Sequence, residues 1–184
     1  MKDGGRTDDS YRIDDTDRVA RLLGRPPRGA FAVVLRDVHG DPIVIRNAPL
    51  LADGTPMPTR YWLVGRVESR AVDRLESKGG VRAAEAVVDP ELLTAAHVAY
   101  AIERDAQIPA GWCGPRPAGG VGGTRKGVKC LHAHYAWFLA GGDDPVGRWV
   151  AEQLGQDRAE RLGGAGRGEI GGAGRGEVGG AGHG

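Results

Sequence analysis

Residues 30–47 read AFAVVLRDVHGDPIVIRN, and this stretch decides the fold class. Ala30 to Leu35 is a compact run of β-favouring side chains, His39-Gly40-Asp41-Pro42 has the chemistry of a turn, and Ile43-Val44-Ile45 is a second apolar run. Two such runs around a short turn predict an antiparallel hairpin. Beyond it, Asn47 to Thr59 carries Pro49, Gly54, Pro56 and Pro58 and reads as a loop in which Asp53-Gly54-Thr55 is a turn. Tyr61-Trp62-Leu63-Val64 then supplies a third strand, so the three runs make a small sheet with one face to cover.

Helices must supply the cover. Upstream of the hairpin, Asp15 or Thr16 can cap a short helix in which Val19, Leu22 and Leu23 share a face, stopped by Gly24, Pro26 and Pro27. Downstream, Val67, Ala71, Val72 and Leu75 recur at helical spacing up to Gly79-Gly80, and Val81 to Val88 forms a shorter helix. Asp89-Pro90 has the signature of an N-cap followed by proline in the first turn, opening a helix to about Ala106. Residues 107–124 are rich in glycine and proline and contain Trp112 and Cys113, the composition of a long loop. A helix is then expected to begin between Thr124 and Gly127, and a last one, capped by the pair Asp143-Asp144 before Pro145, to run to about Leu154 with Val146, Trp149 and Val150 inward. The expectation is an α+β fold, a small three-stranded antiparallel sheet covered by about five to six helices.

Composition bounds the rest. The 184 residues leave room for one domain, expected over residues 15–156, after a polar segment 1–14 whose apolar content is too low to order it. Residues 157–184 form a tail in which GGAGRGE recurs with period eight; 12 glycines in its last 22 residues leave nothing to bury, so a flexible appendage is expected. With 25 basic and 24 acidic residues the net charge is +1, which gives no global attraction to nucleic acid or anionic lipid. No apolar run reaches the roughly 20 residues of a membrane-spanning helix, and no secretory leader is apparent, so a cytoplasmic protein without membrane insertion is expected. Cys113 and Cys130 then read as free thiols or metal ligands rather than a disulfide.

The reactive groups concentrate in GGVGGTRKGVKCLHAHYAWFLAGG, Gly119 to Gly142. At 100° per residue, a helix through this segment sets Cys130 and His134 about 40° apart and turns His132 to the other side. Three chemistries follow. Gly122, Gly123, Thr124, Arg125, Lys126 and Lys129 can bind an anion, glycine amides and a helix start adding partial charge to full ones. Cys130 can be a catalytic thiol with His134 on its face or His97 from another helix as base, His132 being a further candidate, acting on a phosphorylated or acyl substrate; Ala136 stands where a cysteine phosphatase places its arginine. Cys130, His134 and Cys113, with His39 or His97, can hold zinc in a zinc-stabilised interaction module.

The motifs GVKCLHAHYA and GGDDPVGRW, with GRPPRG and DGTPMPTRYWL upstream, resemble DUF501, a family of actinobacterial proteins of unknown function, over roughly residues 17–154. The resemblance implies a gene neighbourhood of enolase, a septum-formation initiator and an exopolyphosphatase-like protein, and so a cell-division or polyphosphate context. Taken together, the expected function is binding of an anionic, phosphate-like small molecule or protein partner at the Gly119 to His134 loop and helix.

Overall fold

The structure is a computed structural model; it describes the backbone of residues 9–164, and side chains from 15 to 155. Residues 1–8 and the repeats from 165 onward, on which part of the expected disordered ends fell, lie outside the described residues. Within them the chain is α+β. Strands β1 (Phe31–Arg36), β2 (Pro42–Asn47) and β3 (Tyr61–Leu63) form an antiparallel sheet in the order β1-β2-β3. Helices α1 (Asp9–Leu23), α2 (Arg66–Ser77), α3 (Gly80–Val87), α4 (Pro90–Asp105), α5 (Leu131–Leu139) and α6 (Pro145–Gly164) surround it, and a 3₁₀ turn spans Val121–Gly123.

The hairpin forms as its sequence predicts. Phe31 pairs with Asn47 and Val33 with Ile45, Gly40 takes φ +84° in the turn, and the Asp37 carboxylate accepts from the amides of His39 and Asp41. β2 departs from the expected one-sided sheet: Val44 and Ile45, adjacent in sequence and therefore on opposite faces, are both fully buried. Val44 joins Tyr61, Tyr100, Ala133, Ala136 and Trp137 beneath α4 and α5. Ile45 joins Val19 and Val64, with Leu22, Leu23 and Trp62 packed around them, beneath α1. The sheet thus has two covered faces, and α1, read from sequence as a short helix with Val19, Leu22 and Leu23 on one face, closes the second. A further helical layer packs Val72, Ala84, Leu93, Val128, Leu131, Val146 and Val150 together.

Three helix ends differ from expectation. α1 begins at Asp9, ahead of the proposed cap at Asp15 or Thr16, because residues 9–14 contain no glycine or proline to stop it. α6 continues past Leu154, across Gly155 and a stretch, residues 156–162, that holds Gln, Arg, Ala, Glu and Leu and no further glycine or proline, to Gly163-Gly164, where the glycine repeat begins. The largest difference is α5, which starts at Leu131 and not between Thr124 and Gly127. Gly127 has φ +64° and Cys130 is extended at φ −161°, ψ 125°, so neither belongs to a helix. Asp89 and Asp144 cap as predicted: Asp89 accepts from Glu91 N at 2.7 Å, and Asp144 Oδ1 from Val146 N and Gly147 N at 2.9 Å each. No helix among the described residues is long and apolar enough to cross a membrane.

Candidate functional site

The glycine segment before α5 is held by side chains from the three preceding helices. Arg104 of α4, buried, donates to Gly119 O at 2.7 Å and Pro117 O at 3.3 Å. His97 of α4 accepts from Val121 N at 3.1 Å through Nδ1 and donates to Gly127 O at 3.1 Å through Nε2. Glu85 of α3 accepts from Val128 N at 2.7 Å, and Glu76 of α2 from Leu131 N at 2.6 Å. Gly120 is required for close approach, since a Cβ there would lie 2.4 Å from His97 Cβ and 2.7 Å from its Cα. The expected phosphate cradle is therefore built differently. The amides of Gly120 and Gly123 are bonded to Thr124 O and Gly120 O, and the start of α5 already faces a carboxylate.

Because α5 begins at Leu131, Cys130 stands at its N-cap and its imidazole neighbour is His132 rather than His134. Cys130 Sγ is 3.7 Å from His132 Nδ1, which is also 3.4 Å from Glu76 Oε1. The other ring nitrogen, Nε2, is 3.3 Å from Ser69 O and 3.2 Å from Asp73 Oδ1. Burial opposes charging this ring, but the Cys130 sulfur and the Glu76 and Asp73 carboxylates outweigh it and hold its pKa up at about 9. Glu76, Cys130 and His132 each place a ligand atom within 4.8 Å of the others. A thiol beside an oriented imidazole can act as a nucleophile with its base, but the Glu76 carboxylate next to them opposes forming the thiolate. The same negative charge suits a cation.

His134 belongs to a separate, buried arrangement. Its Nδ1 donates to Asp144 Oδ2 at 2.7 Å, both side chains being essentially inaccessible, and its Nε2 has no hydrogen-bond partner among the described residues. The His97 ring lies edge-on to it, centroids 5.7 Å apart. Burial, and then the nearby His134, lower the pKa of His97 below its ordinary 6.5, against the raising effects of Gly127 O and Asp144. A histidine depressed in the fold binds its proton more readily when unfolded. Its contribution to stability is thus complete above 6.5 and is lost as pH falls through the lower folded value. Urea midpoints between about pH 7.5 and about pH 5 are expected to fall, and less steeply in His97→Gln; an unchanged slope would assign the acid sensitivity to another group.

On the far side of His97 a pocket of about 400 Å³ is walled by Arg125 and Lys126, with Thr94 and Glu85 beside them and Val88 and Leu93 as apolar floor. Of the expected anion ligands, Gly122, Gly123 and Thr124 lie outside its wall, while Lys129 is exposed beside Gly122. Cys113 is exposed on its own loop, donating to Gly111 O, and His39 is exposed in the hairpin turn, so neither joins Cys130 or His134. A pocket of about 540 Å³ around Trp112 offers Asp53 as its sole ionisable wall residue and gathers no comparable chemistry. Sequence reasoning missed Asp73, Glu76 and Glu85. Asp73 and Glu76 are neighbours at i, i+3 on α2, a pattern that reads as an ordinary solvated face until α5 is packed against it.

A family model described as a protein of unknown function, DUF501, matches residues 33–152, from within β1 into α6. Neither a curated protein nor a solved structure matches the chain.

Proposed function

Since the chain belongs to the DUF501 family, whose description assigns no chemistry, the reading rests on the site itself, and we propose that the protein binds a small molecule bearing phosphate or carboxylate in the pocket between α3, α4 and the Arg125-Lys126 turn. The observation that supports it is that two adjacent cationic residues, Arg125 and Lys126, line a pocket of about 400 Å³ together with apolar Val88 and Leu93. Glu85 is the opposing charge there, and one of its oxygens is taken up by Val128 N. Neutral His97 forms the inner wall and fixes Gly127, so the turn that carries both cations is set before a ligand arrives. A phosphate-like head between Arg125 and Lys126, with a less polar body against Val88 and Leu93, fits these walls.

The polyphosphate context implied by the family resemblance makes inorganic polyphosphate the natural second probe beside phosphate. Wild-type protein is expected to melt at higher temperature as either anion is raised, with a gain of about 2.7 kcal/mol at a hundredfold excess over Kd. Arg125→Ala with Lys126→Ala should abolish the shift while leaving the melting temperature without anion within about 2 °C, since both side chains are exposed. Equal shifts in the two proteins would sink the proposal.

A second reading, a zinc-stabilised module, is supported by the Glu76, Cys130 and His132 cluster, whose ligand atoms lie within 4.8 Å of one another. It replaces the ligand set expected from sequence, keeping Cys130 and exchanging His134 and Cys113 for His132 and Glu76. In this reading the metal ties α2 to the start of α5.

A further inference from the structure

The geometry points to a metal centre with an exchangeable fourth position: Glu76, Cys130 and His132 hold a divalent transition ion, and the remaining coordination site opens into an apolar pocket where an anionic donor on an apolar body, such as a thiolate, can bind. This rests on the metal reading above and goes beyond it, because a purely structural zinc site is closed by four protein ligands.

The histidine tautomer is the first support. Ser69 O is an acceptor only, so His132 Nε2, 3.3 Å away, carries a proton. The second proton, on Nδ1 and directed at Cys130 Sγ and Glu76 Oε1, is then the one a metal ion displaces, leaving that nitrogen's lone pair for coordination. A carbonyl and a carboxylate on the far nitrogen are the partners that orient metal-ligating histidines. Distances are the second. Tetrahedral zinc with bonds of about 2.0–2.3 Å sets its ligand atoms roughly 3.3–3.8 Å apart. The observed 3.7 Å from sulfur to Nδ1 and 3.4 Å from Nδ1 to Oε1 fall within that interval. The third is rigidity: Glu76 Oε1 is fixed by Leu131 N, and Leu131 is fully buried.

The open position follows from what surrounds the three ligands. Among the described residues no fourth histidine, cysteine or carboxylate joins the cluster, and Asp73 is spent on the far side of the His132 ring. Cys130 and His132 instead form one wall of a pocket of about 360 Å³ whose other sides include Leu23, Tyr61, Trp62 and Leu63. An incoming donor therefore meets the metal with its body among aromatic and aliphatic side chains. Sulfur, imidazole and carboxylate together suit Zn²⁺ or Co²⁺, and thiolates are good ligands of both.

Cobalt substitution tests this on the full-length protein, stripped of metal and given one equivalent of Co²⁺. Binding should produce a thiolate-to-cobalt charge-transfer absorption together with intense tetrahedral d–d bands. Cys130→Ser should lose the charge-transfer absorption, and Asp73→Asn should weaken cobalt binding about 10–100-fold. Glu76→Gln, which keeps an oxygen for Leu131 N, serves as the ligand variant if Cys130→Ser does not fold. Azide and thiophenol should each shift the d–d bands saturably, thiophenol at the lower concentration, and Trp62→Ala should reduce the thiophenol preference without changing the azide response. Cobalt bound through thiolate but with bands unmoved by both ligands would overturn the open position and leave the structural metal reading standing. No cobalt binding, or a spectrum unaltered in both Cys130→Ser and Glu76→Gln, would overturn both.

Discussion

Asp144→Ala is expected to lower the unfolding free energy by about 3–5 kcal/mol, the range for removing one partner of a buried charge-assisted pair. The carboxylate is fully buried and has two separate tasks. Oδ1 accepts the amides of Val146 and Gly147, capping the start of α6 inside the core, while Oδ2 accepts His134 Nδ1 at 2.7 Å. Alanine leaves two helix amides uncapped and an inaccessible imidazole without a partner at either nitrogen. Asp144→Asn separates the tasks, because its oxygen can still cap, worth about 1 kcal/mol, while the charge opposite His134 is gone. Urea unfolding followed by tryptophan fluorescence, with Trp137 on α5 and Trp149 on α6 as reporters, should rank wild type above Asn above Ala. A loss under about 1 kcal/mol in the alanine variant would reduce Asp144 to a simple cap.

Arg104→Ala should be nearly as costly and should act at a distance from its own helix. The buried guanidinium donates to Gly119 O and Pro117 O, and Nε reaches Asp105 Oδ1 at 2.8 Å. At about 1.5–3 kcal/mol for each hydrogen bond from a charged group, losing the two loop carbonyls alone costs about 3 kcal/mol or more. The effect should appear first as faster amide exchange at Gly120 and Val121, whose acceptors Thr124 O and His97 Nδ1 depend on the loop keeping its path. Lysine should recover little, since a point charge cannot fork between two carbonyls. Unchanged exchange at those amides together with wild-type stability would show that the loop is ordered by other contacts.

How far the sequence revealed this fold depends on how local the determinants are. The hairpin, the Asp89 cap and the Asp144 cap were legible because the residues that make each one lie within a few positions of each other. Residues 127–130 were not. Glycine spacing and the apolar run after it suit an early helix start, yet Val128 and Leu131 amides answer to Glu85 and Glu76, 43 and 55 residues earlier. Moving the helix start to Leu131 also reassigned the thiol's partner, since arithmetic at 100° per residue applies only inside a helix. The two covered faces of the sheet escaped for a related reason. Val44 and Ile45 in succession read as one apolar run, and only the packing of α1 shows that each has its own cover.

The dependence of residues 119–130 on Arg104, His97 and Glu85 makes this segment a casting and its neighbours the mould. Five of its twelve positions are glycine, so little of its shape is written in its own side chains. A peptide carrying GGVGGTRKGVKCLHAHYA, or the same motif spliced into a foreign scaffold, would keep the reactive groups and lose their arrangement. Its arrangement belongs to the whole fold, since α3 and α4 hold the glycine segment while α5 beyond it packs on β3 and α6.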